Sequence, residues 1–114
     1  MPDFIIQVLE YLTSDGRCPY REWLHGLADR EARARVRVRI RRIALGNFGD
    51  TRAVGGGVIE ARIPYGPGYR IYFGRHGDQV VVLLCGGSKN TQAKDIALAQ
   101  AYWEDCRRRK AWIG

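Results

Sequence analysis

A single small α+β domain with an antiparallel four-stranded sheet is expected from three observations. The chain has 114 residues, enough for one hydrophobic core and too few for a second. Between residues 57 and 85, three short apolar stretches are separated by glycine-containing turns. Residues 29–45 and 91–109 carry helix start and stop signals at their ends. The predicted order is one strand, two helices, three strands and a C-terminal helix, all within residues 1–114.

Phe4 to Leu12 is rich in Phe, Ile, Val, Leu and Tyr and reads as the first strand, apolar on both faces for part of its length. Ser14-Asp15-Gly16 is a turn. Pro19 fits the first position of a short helix through Trp23 and Leu24 to about Leu27. Asp29 suits the N-cap of a second helix, with Glu31 in its first turn and Gly46 as its stop. Arg33 to Arg41 alternates arginine with apolar residues, which is a strand signal. The helix reading prevails because the segment is long for a strand, has both caps and is rich in a good helix former. Ala32, Val36, Ile40 and Ile43 then share one face, and Ala34, Val38 and Leu45 form an opposite stripe. That stripe is either shielded by the first helix and the arginine stems or is a partner surface.

Residues 46 to 56 show no clear element. Strands follow at about 57–63, 69–75 and 79–85. Pro64 to Gly68 and His76-Gly77-Asp78 connect them, short enough for an antiparallel meander. The last helix runs from about Thr91 to Arg109, capped by Asn90 or Thr91, with Ile96, Ala99, Trp103 and Cys106 on its apolar face. Arg107 to Lys110 place cations at the negative end of its dipole.

The formal net charge is +7 and the pI about 9.8. Such a surface favours a polyanion: RNA, DNA, an acidic protein segment or an anionic membrane. Aromatic residues interleaved with the cations favour the polyanion reading over that of a merely basic soluble protein. Cys18, Cys85 and Cys106 are odd in number and lack paired spacing, which argues for reduced thiols rather than a disulfide framework. With His25 and His76 they form no metal-ligand cluster, and neither a metal nor another cofactor is expected. Met1-Pro2-Asp3 lacks the basic start and long apolar stretch of a signal peptide. No apolar run is long enough to span a bilayer. A cytoplasmic location and no membrane partner are expected.

The densest candidate chemistry lies on the hairpin around Gly66. Val58, Glu60 and Arg62 point one way along their strand, and Ile59, Ala61 and Ile63 the other. A turn centred on Gly66 would set Arg62 near Arg70 and Glu60 near Tyr72. Two arginines across a sheet repel one another. Either Glu60 neutralises both of them on a solvated face, or an anion normally binds there. Gly86-Gly87-Ser88-Lys89 opens the last helix; it is either an anion-binding loop or a turn closed by its cap. His25 is expected to be partly buried and structural, His76 solvated, and neither catalytic.

Three motifs link these residues: Glu60-x-Arg62-Ile63, Gly68-Tyr69-Arg70, and Gly86-Gly87-x-Lys89-x-x-Gln92-x-x-Asp95-Ile96. Through them the chain resembles the RelE/ParE superfamily of bacterial toxins, and within it the HigB-like addiction module killer branch. The resemblance covers most of the chain, most strongly Gly57 to Ala99. It implies a RelE-like fold and the toxin of a type II toxin–antitoxin system. It further implies an endoribonuclease (mRNA interferase) that inhibits translation by metal-independent cleavage of messenger RNA on the ribosome. The implied partners are the ribosome, mRNA and a HigA-like helix-turn-helix antitoxin, for which Ala34 and Val38 are candidate contacts. In such a reaction the RNA 2′-hydroxyl attacks the adjacent phosphate and expels the next 5′-oxygen. Arg70 would stabilise the developing charge, Glu60 would act as base and Tyr72 would align or protonate an oxygen, with Lys89 as a further cation. Arg62, Gln92 and Lys94 would bind substrate, and Asp95 would complement the helix dipole. Some relatives use a histidine for acid–base chemistry; this chain has none at its C-terminal end, so that role is not carried over. Two alternatives stand: a ParE-like poison of DNA gyrase, and a non-enzymatic nucleic-acid-binding module.

Overall fold

The computed structural model describes residues 5–113. Its elements are β1 (Gln7–Tyr11), α1 (Pro19–Gly26), α2 (Arg30–Ala44), β2 (Thr51–Ala53), β3 (Val58–Ile63), β4 (Tyr69–His76), β5 (Val80–Ser88), α3 (Gln92–Arg109) and β6 (Trp112–Ile113). A single 3₁₀ turn, Lys89–Thr91, leads into α3. The α+β class and the strand–helix–helix–strands–helix order agree with expectation.

The sheet differs from the antiparallel four-stranded one expected. Six strands lie in the order β2-β3-β4-β5-β1-β6. β2 to β5 form an antiparallel meander, but β1 runs parallel to β5, with Gln7 opposite Val80 and Glu10 opposite Leu83. The sheet is therefore mixed. A parallel neighbour is possible because the chain leaves β1 through two helices instead of a hairpin. β2 and β6 have three and two residues, too few to show an apolar alternation in sequence; each exists by pairing with a longer neighbour. The first strand is shorter than Phe4 to Leu12: Phe4 lies outside the described residues, and Ile5 is 67% exposed.

Both faces of the sheet are covered, which explains the continuous apolar run of β5. Val81 and Leu83 join Tyr20, Leu24, Val36 and Ile43 of α1 and α2 in one core. Val82 and Leu84 join Ala99, Trp103 and Cys106 of α3 in the other. A bulge in the β4–β5 pairing sets Tyr72 opposite Cys85 and Phe73 opposite Leu83. It leaves Cys85 packed in the same core as Leu84. Trp103 lies on bare backbone: a Cβ at Gly74 would come within 2.4 Å of its ring.

On α2, Asp29 caps the helix as expected, accepting from the amides of Glu31 and Ala32. Ala32, Val36 and Ile43 face the core. The opposite stripe is not shielded: Ala34 is exposed, Val38 is 40% exposed and Leu45 70%. Arg39, which borders Ala34 and Val38 with Arg35 and Arg42, carries its guanidinium away to the carbonyls of Phe48, Arg62 and Asp50. His25 is exposed, contrary to its expected partial burial, since α1 turns Tyr20 and Leu24 inward. Among the described residues no helix is long and apolar enough to cross a membrane.

Candidate nucleic-acid interface

The hairpin register is as inferred, with Arg62 opposite Arg70 and Glu60 opposite Tyr72. The repulsion between the arginines is relieved by two different carboxylates. Asp50, just before β2, takes Arg62 through both its oxygens, at 3.1 and 3.0 Å. Glu60 faces Arg70, whose Nε stands 3.5 Å from its Oε2. Neutralisation of both arginines by Glu60, one of the two readings left open by the sequence, therefore does not hold. Asp50 was missed because it lies in the stretch that showed no element. The signal was present in Asp50-Thr51-Arg52-Ala53-Val54, a glycine-free run between glycines.

Glu60 is fully buried, with 0% exposure. Its Oε1 accepts from Arg52 Nε at 2.9 Å, and its Oε2 from the Tyr72 hydroxyl at 3.0 Å and Gln92 Nε2 at 2.9 Å. Burial alone would raise its pKa, but the hydrogen bonds from Arg52, Gln92 and Tyr72 outweigh it and hold the carboxyl below its ordinary range. Tyr72 is equally buried, and burial together with the Glu60 charge pushes its hydroxyl far above the ordinary range. Glu60 and Tyr72 thus sit beneath the surface with their polar atoms committed to each other and, through Glu60, to β2 and α3. Arg52, absent from the candidates, belongs to this cluster through the β2–β3 pairing of Arg52 with Glu60.

Arg70 is 8% exposed. Its Nη1 donates to the Gly68 carbonyl at 3.1 Å, and its Nε is buried without a hydrogen-bond partner among the described residues. The same Gly68 carbonyl accepts the Lys89 amide at 2.9 Å, which ties the hairpin turn to the start of the 3₁₀ turn. Arg62, Arg70, Tyr69 and Gly68 border a hollow of about 280 Å³. The Lys89 and Lys94 side chains are exposed, and Gln92 spends its amide on Glu60. Arg52, Arg62, Arg70, Lys89 and Lys94 outnumber Glu60, Asp50 and Asp95 along this end of the sheet, so the patch keeps a positive surplus.

Gly86, Gly87 and Ser88, expected in the loop that opens the last helix, instead extend β5 and pair with β4, and packing shapes this strand end. A Cβ at Gly87 would lie 1.8 Å from Asp95 Oδ2, and one at Gly86 would lie 2.3 Å from the Trp23 ring. Asp95 is buried and accepts from the Thr91 hydroxyl, so it does more than complement the dipole. Thr91 holds the N-cap position of α3 as expected, but its side chain makes no capping hydrogen bond and reaches back to the Ser88 backbone instead. Chemically, the site offers one preorganised guanidinium, held from behind by a carboxylate and a carbonyl, with further cations at its rim. That arrangement suits a phosphate diester.

The chain is similar to a protein of Haemophilus influenzae (strain ATCC 51907 / DSM 11121 / KW20 / Rd) described as uncharacterized. The two are 43% identical over 95 residues, covering 83% of this chain and 90% of the other. No family model matches the chain, and no solved structure matches it.

Proposed function

The chain belongs to one family with that Haemophilus influenzae protein, and we propose that it is a toxin that cuts messenger RNA on the ribosome, with Arg70 gripping the scissile phosphate. The observation that carries this reading is the state of Arg70: almost fully buried, oriented by Gly68 and Glu60, and lining a hollow shared with Arg62. A guanidinium fixed in this way can stabilise charge that develops on a phosphorane without reorganising at the moment of reaction. Arg62 and Lys89 make further phosphate contacts, and Lys94 extends the track along the start of α3.

Glu60 and Tyr72 act as positioning residues, because a carboxylate with every near donor engaged has no free face for a substrate proton. The proton of the attacking 2′-hydroxyl then leaves to an acceptor supplied with the bound substrate complex, and the departing 5′-oxygen takes a proton from that complex or from water. This accounts for dependence on the ribosome, which aligns the RNA and raises the effective concentration of reacting groups. The toxin would act in the cytoplasm, with a HigA-like helix-turn-helix antitoxin docked on the open stripe of α2 formed by Ala34 and Val38.

The test is mRNA cleavage in a purified translation system with mapped 5′ ends. Wild type should produce ribosome-dependent ends within the translated region, and Arg70→Ala should slow cleavage by about 100- to 1,000-fold, as for loss of one charge-stabilising donor. The sealed state of Glu60 and Tyr72 favours a second reading, in which the same grip binds a nucleic-acid backbone without chemistry, as in a gyrase poison or a plain binding module. Intact mRNA at saturating folded protein would decide for that second reading.

A further inference from the structure

We propose that the cleft bordered by Trp23 of α1, Tyr69 of β4 and the Gly87–Ser88 end of β5 is a base-stacking subsite for single-stranded RNA, taking the base of the nucleotide whose phosphate lies at Arg70. The inference rests on the phosphate reading above. The cleft is an open groove of about 430 Å³, within the roughly 300–1,000 Å³ of small-molecule sites. Trp23, Tyr69, Leu27 and Pro67 wall it, and Ser88 and Asn90 lie on its border.

Its position follows from the hairpin turn. Tyr69 lines both this cleft and the hollow of Arg62 and Arg70, while the adjacent Pro67 and Gly68 line one each. A nucleotide is built with the same adjacency: an anion joined through a sugar to a flat apolar ring. The rings are also held in place before any ligand arrives. The Trp23 and Tyr69 centroids are 6.4 Å apart with an edge contact, and Tyr65 stacks on Tyr69 at 6.5 Å with the Arg35 guanidinium 4.5 Å from the Tyr65 centroid. Trp23, Tyr65 and Tyr69 pack against the α1–α2 core yet stay half-buried. Little side-chain freedom is left to lose on binding. Bare backbone at Gly86 lets the Trp23 ring sit down against the strand end. The neighbouring Arg62, Arg70 and Lys89 supply the charge complementarity that selects a polyanion over an apolar ligand. The hydroxyl of Ser88 and the amide of Asn90 can meet the polar edge of a base, whereas stacking itself tolerates any base.

The experiment titrates wild-type protein with a labelled uridylate pentamer and with an abasic ribose-phosphate chain of the same length. The base-bearing oligomer should bind at least about fivefold more tightly. Trp23→Leu, which lies outside the phosphate hollow, should bring that ratio towards one without changing the abasic affinity or its salt slope. Arg70→Ala should weaken both oligomers and reduce the salt slope by about 0.7. Equal wild-type affinity for the two oligomers overturns the stacking subsite alone. An abasic affinity indifferent to Arg70→Ala overturns the phosphate reading instead, and failure of both oligomers to bind overturns both. Because Trp23 also supports the core, a second measurement uses the unmodified protein. Ultraviolet crosslinking of 5-iodouridine RNA should mark Trp23 or Tyr69, and crosslinks confined to other aromatic residues would sink the subsite.

Discussion

Glu60 shows how a single buried residue can tie a candidate site together. It joins β2 through Arg52, β4 through Tyr72 and α3 through Gln92, and it balances Arg70. Glu60→Gln keeps the shape but leaves Arg70 buried beside a neutral group. Loss of one partner of a buried pair costs about 3–5 kcal/mol, which urea denaturation would read directly. The pH dependence has a definite sign. The folded carboxyl titrates below its ordinary value of 4.5, so its stabilisation is fully present above that value and is lost as pH falls below it. Wild type should therefore lose more stability on acidification than Glu60→Gln; identical acid profiles would remove the role given to Glu60. The cysteines offer a second check at this scale. Burial pushes the Cys85 thiol up to about 12 and Cys106 to about 11, while half-buried Cys18 is the most accessible. Alkylation of native protein should mark Cys18 first, with the other two labelled only on unfolding.

Among the elements, α3 and β4 depend on each other through a missing side chain. The indole of Trp103 covers Gly74, and any Cβ there would overlap the ring. Gly74→Ala should destabilise by about 1–3 kcal/mol through overpacking. Combining it with Trp103→Leu, which frees the space, should cost less than the sum of the two single changes. Strict additivity in thermal denaturation would mean that the two positions do not share this contact. The elements also differ in how far the sequence reveals them. The helices α2 and α3 were readable nearly to their ends, because the Asp29 cap of α2 and the apolar repeat of both helices are local signals. The pairs Arg62–Arg70 and Glu60–Tyr72 were readable because a short hairpin fixes its own register. β2 was not readable, and Asp50 and Arg52 were lost with it, because three residues carry no period and the partner strand is what defines them.

For the whole molecule, stability should be graded across the sheet. β4 and β5 lie at its centre and are buried on both faces, while β2 and β6 are short edges. Amide hydrogen exchange should be slowest at residues 81–84 and their β4 partners, and fastest at Thr51–Ala53 and Trp112. Equal protection of β2 and β5 would show that the sheet opens as one unit. This gradient matters for the candidate site, since Arg62 and Arg70 stand near the durable centre whereas their helpers Asp50 and Arg52 come from the edge. Opening of β2 would release Arg62 and part of the cover over Glu60 together.

Length, charge, caps and the hairpin motif were enough to establish an α+β chain with a basic face and to bring Glu60, Arg62, Arg70 and Tyr72 together. Each of those inferences depends on residues close in sequence, or on bulk composition. The parallel placement of β1 beside β5, the burial that turns Glu60 and Tyr72 from surface groups into supports, and the meeting of Trp23 with the end of β5 came only with the packed structure. They depend on contacts between distant segments, and burial at one position is set by whatever element comes to lie over it.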